Sequence, residues 1–79
     1  RERPAMTGWQ AIRAALRARI EAREWRPGDL IPAEEALAAD YGVARGTVNR
    51  ALRDLAADGL VERRRRAGTR VAMGAARRA

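Results

Sequence analysis

Two helical rhythms of apolar residues stand only three residues apart, and that gap constrains the fold more than any other feature. Leu37, Ala38 and Tyr41 mark one apolar face, and Val48, Ala51, Leu52 and Leu55 mark the next. Both follow the three-and-four spacing of a helix with one buried side. Gly42-Val43-Ala44 joins them. A linker this short, with glycine where the first helix stops, lets the second helix cross the first and project its N-terminal end outward. Pro32 is expected to open the first of these helices. Glu34 and Glu35 fall in its first turn, where carboxylates offset the helix dipole. Neighbouring helix residues point about 100° apart, so the two glutamates read as a helix start and not as a catalytic carboxylate pair. The second helix is expected to begin near Ala44 or Arg45, over about 45–58, with Gly59 stopping it.

Around this pair the chain supplies one more helix and a hairpin. Trp9, Ile12, Leu16 and Ile20 recur at helical spacing with Arg13, Arg17 and Glu21 between them, Thr7 is a candidate cap, and Pro27-Gly28 is expected to end the segment. Leu30-Ile31 is too short for an independent strand and is expected to pair with a later hairpin. That hairpin is built from Leu60-Val61 and the alternating Thr69, Val71 and Met73, with Arg66-Ala67-Gly68 as its turn. Trp9 and Tyr41 sit on apolar faces and are expected in the core, with Trp25 covering its edge. The fold class that results is mainly α with a small β-hairpin, a winged helix-turn-helix with a three-helix core plus wing. Residues 1–7 form a lead-in, 8–73 the domain, and 74–79 a basic tail or linker.

Composition narrows the function. The 79 residues carry seventeen arginines, no lysine and ten acidic groups, a net charge of +7. Such a balance points to a polyanionic partner, nucleic acid first and an anionic membrane surface second. Cysteine and histidine are both absent, which excludes disulfides, the usual zinc sites and the commonest general base. So short a chain encloses too little core for a deep active site, and no enzyme, cofactor or metal is expected. No apolar run spans a membrane and no signal peptide is evident, so the cytoplasm is the expected compartment.

The chemistry-bearing residues gather at the start of the second paired helix. Arg45, Asn49 and Arg53 share a face at i, i+4 spacing, with Gly46, Thr47 and Arg50 beside them. Arginine pairs bidentately with guanine and asparagine with adenine. Thr47 offers a hydroxyl to phosphate and a methyl to thymine, and Gly46 leaves room for close backbone approach. Arg63 to Arg66 form a charge run, and alternate strand residues face opposite ways. Arg65 and Arg66, nearest the turn, are the expected contacts, with Gly68 and Thr69 completing a wing tip over about 65–69. Arg50 has a plainer alternative in an i, i+4 pair with Asp54. Arg13, Arg17 and Arg23 read as solvated helix surface, with backbone phosphate an alternative for the first two.

From Gly28 to Val71 these residues resemble the N-terminal domain of GntR-type transcriptional regulators. The resemblance rests on Gly28-Asp29-Leu30-Ile31-Pro32-Ala33-Glu34, Leu37-Ala38, Tyr41-Gly42-Val43, Arg45, Thr47-Val48, Ala51-Leu52, Leu55, Gly59-Leu60-Val61 and Gly68-Thr69-Arg70-Val71. It implies a bacterial repressor or activator that binds double-stranded operator DNA as a homodimer. Arg45, Thr47 and the residue at 49 would contact DNA, with the hairpin tip in the neighbouring minor groove. It also implies a separate C-terminal domain that binds a small-molecule effector and lies outside these residues. Glu35 stands where the family often has a DNA-touching arginine, Ala44 where serine or threonine usually caps the recognition helix, Asn49 where arginine is common, and Arg66 where the wing usually has glycine.

Two other readings compete. A winged-helix protein-interaction or assembly domain would expose an apolar patch on the helix that here carries Arg45, Asn49, Arg50 and Arg53. A single-strand, RNA or non-specific nucleic-acid binder would need exposed aromatic platforms, and each of the three aromatic residues has a core role available.

Overall fold

The inner face of the Arg45 helix sets the architecture. The computed structural model describes residues 8–64 and 67–73. Within them run α1 (Trp9–Glu21), β1 (Leu30–Ile31), α2 (Glu34–Tyr41), α3 (Arg45–Ala57), β2 (Val61–Arg64) and β3 (Gly68–Val71). Val48, Ala51, Leu52 and Leu55 of α3 are buried against Ile12, Leu16 and Ile20 of α1 and Leu37 and Ala38 of α2. Trp25, Ile31, Val61, Val71 and Ala72 close the core from the sheet side. The winged helix-turn-helix is therefore the observed fold. No helix among the described residues is long and apolar enough to cross a membrane.

The two-residue β1 does pair with the hairpin. The strands lie in the order β1-β3-β2, all antiparallel, with Ile31 opposite Thr69, and Thr69 opposite Arg63. Backbone bonds from Gly28 N–H to Val71 O, from Val71 N–H to Asp29 O, and from Ala72 N–H to Leu60 O extend the sheet beyond its strands. Val61 and Val71 face the core; Arg63 shares the strand face of Val61 but stays exposed, while Arg64 reaches back to Glu62.

Three expectations at the element ends are corrected. The first helix stops at Ala22, ahead of Pro27-Gly28, which instead forms a turn closed by Asp29 N–H on Arg26 O that launches β1. Pro32 does not open α2, whose cap is Ala33. The second hairpin strand ends at Val71, leaving Met73 71% exposed, and Gly68 is its first residue and not part of the turn. Trp9 is also only half-buried, where a core position was expected. Thr7, residues 1–7 and 74–79, Arg65 and Arg66 lie outside the described residues.

All three helices end in the same way. Arg23 N–H reaches Ile20 O and Glu24 N–H reaches Arg19 O after α1. Gly42 and Val43 reach Ala39 and Ala38 after α2, and Gly59 and Leu60 reach Ala56 and Leu55 after α3. This paired bonding satisfies carbonyls the helix leaves open and needs a left-handed residue at its centre. Gly42 (φ 68°) and Gly59 (φ 80°) adopt that backbone without a side-chain clash, whereas after α1 the position is held by Arg23 at φ 65°. The N-terminal ends are weaker. Gly8, Ala33 and Ala44 stand at the three cap positions, and none makes a side-chain cap bond.

Replacing Arg23 with glycine relieves a left-handed non-glycine residue. The variant is expected to be more stable by about 0.5–1 kcal/mol, the relief of about 1–2 kcal/mol being partly offset by a more flexible unfolded chain. Ala44→Ser supplies the oxygen that α3 lacks and is expected to add about 1 kcal/mol. Thermal or urea unfolding followed by circular dichroism checks both. An unchanged midpoint in either variant would refute the corresponding account of that helix end.

Candidate nucleic-acid interface

Because α3 buries Val48, Ala51, Leu52 and Leu55, the positions between them are turned out. Arg45, Gly46, Arg50 and Arg53 are exposed, and Thr47 and Asn49 are half-buried. The three residues 42–44 bring the start of α3 beside the start of α2, and β1 and the hairpin stand on the other side of both. Between them opens a cleft of about 820 Å³, lined in part by Pro32, Glu34, Arg45, Arg63, Gly68 and Thr69.

One carboxylate binds these elements together. Glu34 Oε2 accepts hydrogen bonds from Arg63 Nη2 at 2.7 Å and Asn49 Nδ2 at 2.9 Å, and Glu34 Oε1 lies 4.0 Å from Arg45 Nη2. Its side chain is only 22% exposed, so these charge-assisted bonds are better shielded than an ordinary surface pair. Glu35 is 75% exposed and stands 3.6 Å from Arg45 Nη1. Glu35 thus faces a residue expected to touch DNA. Arg45 therefore faces two acids from a largely exposed position.

The expected site residues divide into groups. Arg45 and Asn49 meet at Glu34, and Gly68 and Thr69 line the same cleft as Arg45. Gly46 borders a smaller cleft of about 310 Å³ with Glu34, Arg45 and Asn49. No atom lies within 4 Å of where a Gly46 Cβ would stand, so packing inside the chain does not require glycine there. Thr47 donates its backbone N–H to Ala44 O. Arg50 is turned elsewhere: its guanidinium sits over the Trp9 ring, 4.8 Å from the centroid, and not beside Asp54. Arg65 and Arg66 lie outside the described residues.

Two participants were not singled out from sequence. Glu34 read as a dipole-favouring residue at a helix start, which gives no sign of its partners on α3 and β2. Arg63 carried a usable signal, because it shares strand parity with the buried Val61.

Away from the cleft other arginines are paired with acids. Arg13 of α1 binds both Asp54 and Asp58 of α3, so the expected solvated position is a strut between the helices. Hydrogen bonding to Asp58 raises its guanidinium above the ordinary value despite desolvation. Arg17 pairs with Glu21 at 3.0 Å. Arg19 bonds Glu24 at 2.6 Å and donates to the Tyr41 hydroxyl at 3.0 Å, and its guanidinium lies 4.2 Å from the Trp25 centroid. Glu24 is the main cause of a strong upward shift on Arg19. Tyr41 is accordingly half-buried with its polar tip engaged, and Trp25 covers the core edge as expected.

Comparison with known proteins gives these features a context. Residues 9–71 match the family model described as bacterial regulatory proteins, gntR family. The histidine utilization repressor of Klebsiella aerogenes is 42% identical over 64 residues, which are 81% of this chain and 27% of that protein. The HTH-type transcriptional repressor PhnF of Mycolicibacterium smegmatis is 44% identical over 63 residues, 80% of this chain and 25% of that one. The chain thus spans about a quarter of the length of these curated relatives. Among solved structures, the AraR DNA-binding domain in complex with operator ORR3 superposes with a TM-score of 0.79 at 30% identity, covering 81% of this chain and 77% of that one. The family model covers nearly all the described residues and the same winged helix-turn-helix recurs in the solved relatives: the chain belongs to the GntR family of bacterial regulatory proteins.

Proposed function

We propose that this chain is the operator-reading domain of a GntR-type transcriptional regulator and binds duplex DNA sequence-specifically. The observation that carries the reading is the cleft between the start of α3 and the wing, which Arg45, Arg63 and Arg64 line. One structural relative, the AraR DNA-binding domain, was solved on operators ORR3 and ORX1, and the matched relatives are named as repressors.

In this reading the N-terminal half of α3 enters the major groove. Arg45 and Asn49 read base edges, Thr47 reads phosphate or a thymine methyl, and Gly46 admits the backbone of the DNA. Arg50, committed to the Trp9 ring, is left out of the base-reading set. Arg65, Arg66, Gly68 and Thr69 form the wing tip at the minor groove. Phosphate contacts by the remaining arginines supply the salt-dependent part of the affinity. Residues 8–73 make up the reading domain and 74–79 lead toward an effector domain. The whole regulator is a homodimer of the cytoplasm that works on the nucleoid and answers to a small ligand bound by that other domain. The protein-interaction alternative fares worse: the exposed large hydrophobic side chains among the described residues, Leu30 and Met73, lie on and after the sheet and not on α3.

Selection of duplexes from a random pool, followed by fluorescence titration across a salt series, tests the reading. Affinity independent of both sequence and salt would overturn it. Arg45→Ala is expected to weaken the preferred duplex by about 1–3 kcal/mol and to reduce the salt slope by about one if the contact is to phosphate. Unchanged binding would remove Arg45 from the interface. Gly46→Ala is expected to stabilise the fold by about 0.5–1 kcal/mol while weakening DNA binding. Stability and affinity that rise together would show that no DNA backbone approaches there.

A further inference from the structure

Asn49 differs from every other expected contact because its recognition edge has two senses. A side-chain amide offers a carbonyl on one side and an amino group on the other, and a half-turn about its last bond exchanges them. Reading adenine requires one sense only, with the carbonyl accepting from N6 and an amino hydrogen donating to N7. The opposite sense places like groups against one another. An unanchored asparagine therefore spends part of its preference on choosing the sense, because only one of its two senses matches adenine.

Glu34 removes that freedom. A carboxylate accepts hydrogen bonds and does not donate them, so the edge of Asn49 that faces Glu34 Oε2 at 2.9 Å is the amino edge. The amino group has two hydrogens, and Glu34 takes one. In the proposed geometry Glu34 takes the hydrogen anti to the carbonyl, and the second, beside that oxygen, completes the pair that matches adenine. Asn49 borders an open cleft with Arg45 and Gly46. Arg63, 2.7 Å from the same Glu34 oxygen, balances the charge of the carboxylate, so the anchor does not present a bare anion to the phosphates. Glu34 itself lies on α2, whose position is set by Leu37 and Ala38 in the core. We infer that Glu34 is a specificity-determining positioning residue: through its bond to Asn49 it fixes the amide in the sense that reads adenine. The inference rests on the DNA-reading function proposed above.

The test is a double-mutant cycle read as base preference. Glu34→Gln keeps the size of the side chain but lets it accept or donate, so the Asn49 amide loses its imposed sense. The position that Asn49 reads is the one whose preference disappears in Asn49→Ala. At that position wild type is expected to favour adenine over guanine by roughly tenfold or more. Glu34→Gln is expected to reduce this ratio about twofold, one of two amide senses being productive with adenine, while preferences elsewhere in the site persist. In the Asn49→Ala background Glu34→Gln is expected to leave the ratio at that position unchanged. A ratio that survives Glu34→Gln overturns the positioning role and leaves the DNA-reading function standing. A uniform loss across all duplexes overturns it too, since that marks a merely structural residue. Absence of any sequence preference in wild type removes the reading and the inference together.

A second measurement does not depend on the variant folding. Asn49 and Gln10 are the only side-chain amides in the sequence, so a nitrogen-correlated NMR spectrum carries two such pairs. The Asn49 amino signals are expected to be displaced and slower to exchange than those of the exposed Gln10. Equal behaviour of the two pairs overturns the anchor.

Discussion

What α3 buries decides what it presents. Val48, Ala51, Leu52 and Leu55 occupy one side of a 13-residue helix and meet the Ile12, Leu16 and Ile20 stripe of α1. A helix turns about 100° per residue, so with that side committed Arg45, Asn49 and Arg53 have only the outward side left. The reading face is thus a consequence of core packing and not of any preference of the polar residues themselves. The same burial seats α2, through Leu37 and Ala38, close enough for Glu34 to reach across to α3. The core is small, and the interactions that place the site are the same ones that hold the fold together.

The helix ends show where local sequence speaks most clearly. Each helix closes with the same paired backbone bonds around a left-handed residue. Those closures set the direction in which the chain leaves, and after α2 the direction is toward α3. The beginnings lack side-chain caps, and at Ala44 the missing cap lies at the end of α3 that faces the cleft. The uncapped N–H groups there leave backbone donors available at the place where phosphate is proposed to approach.

The charge distribution separates structural arginines from available ones. Arg13, Arg17 and Arg19 are matched to Asp54, Asp58, Glu21 and Glu24 away from the cleft. On the cleft side two acids face Arg45 and Arg63. The net charge of +7 therefore overstates how many arginines are unengaged. Glu34 holds its partners from a shielded position, and Glu35 does so from an exposed one, where solvent and salt weaken the pairing.

Periodicity by itself determined the three helices, the identity of nearly every core residue and the short gap that makes the helix-turn-helix. Each of these is a one-dimensional pattern, since burial on one side of a helix repeats along the chain. Composition pointed to a polyanionic partner. Local signals also placed the left-handed closures at Gly42 and Gly59, but they passed over Arg23, because a non-glycine residue carries no such mark. What only the tertiary structure decided are meetings between distant segments. Glu34 is 15 residues from Asn49 and 29 from Arg63, and Arg13 is 45 from Asp58. Arg50 lies over a tryptophan from another helix. Each residue reads in sequence as an ordinary helix-surface or strand charge. Its partner is chosen when the apolar stripes pack and bring separate surfaces together, and no spacing along the chain encodes that choice.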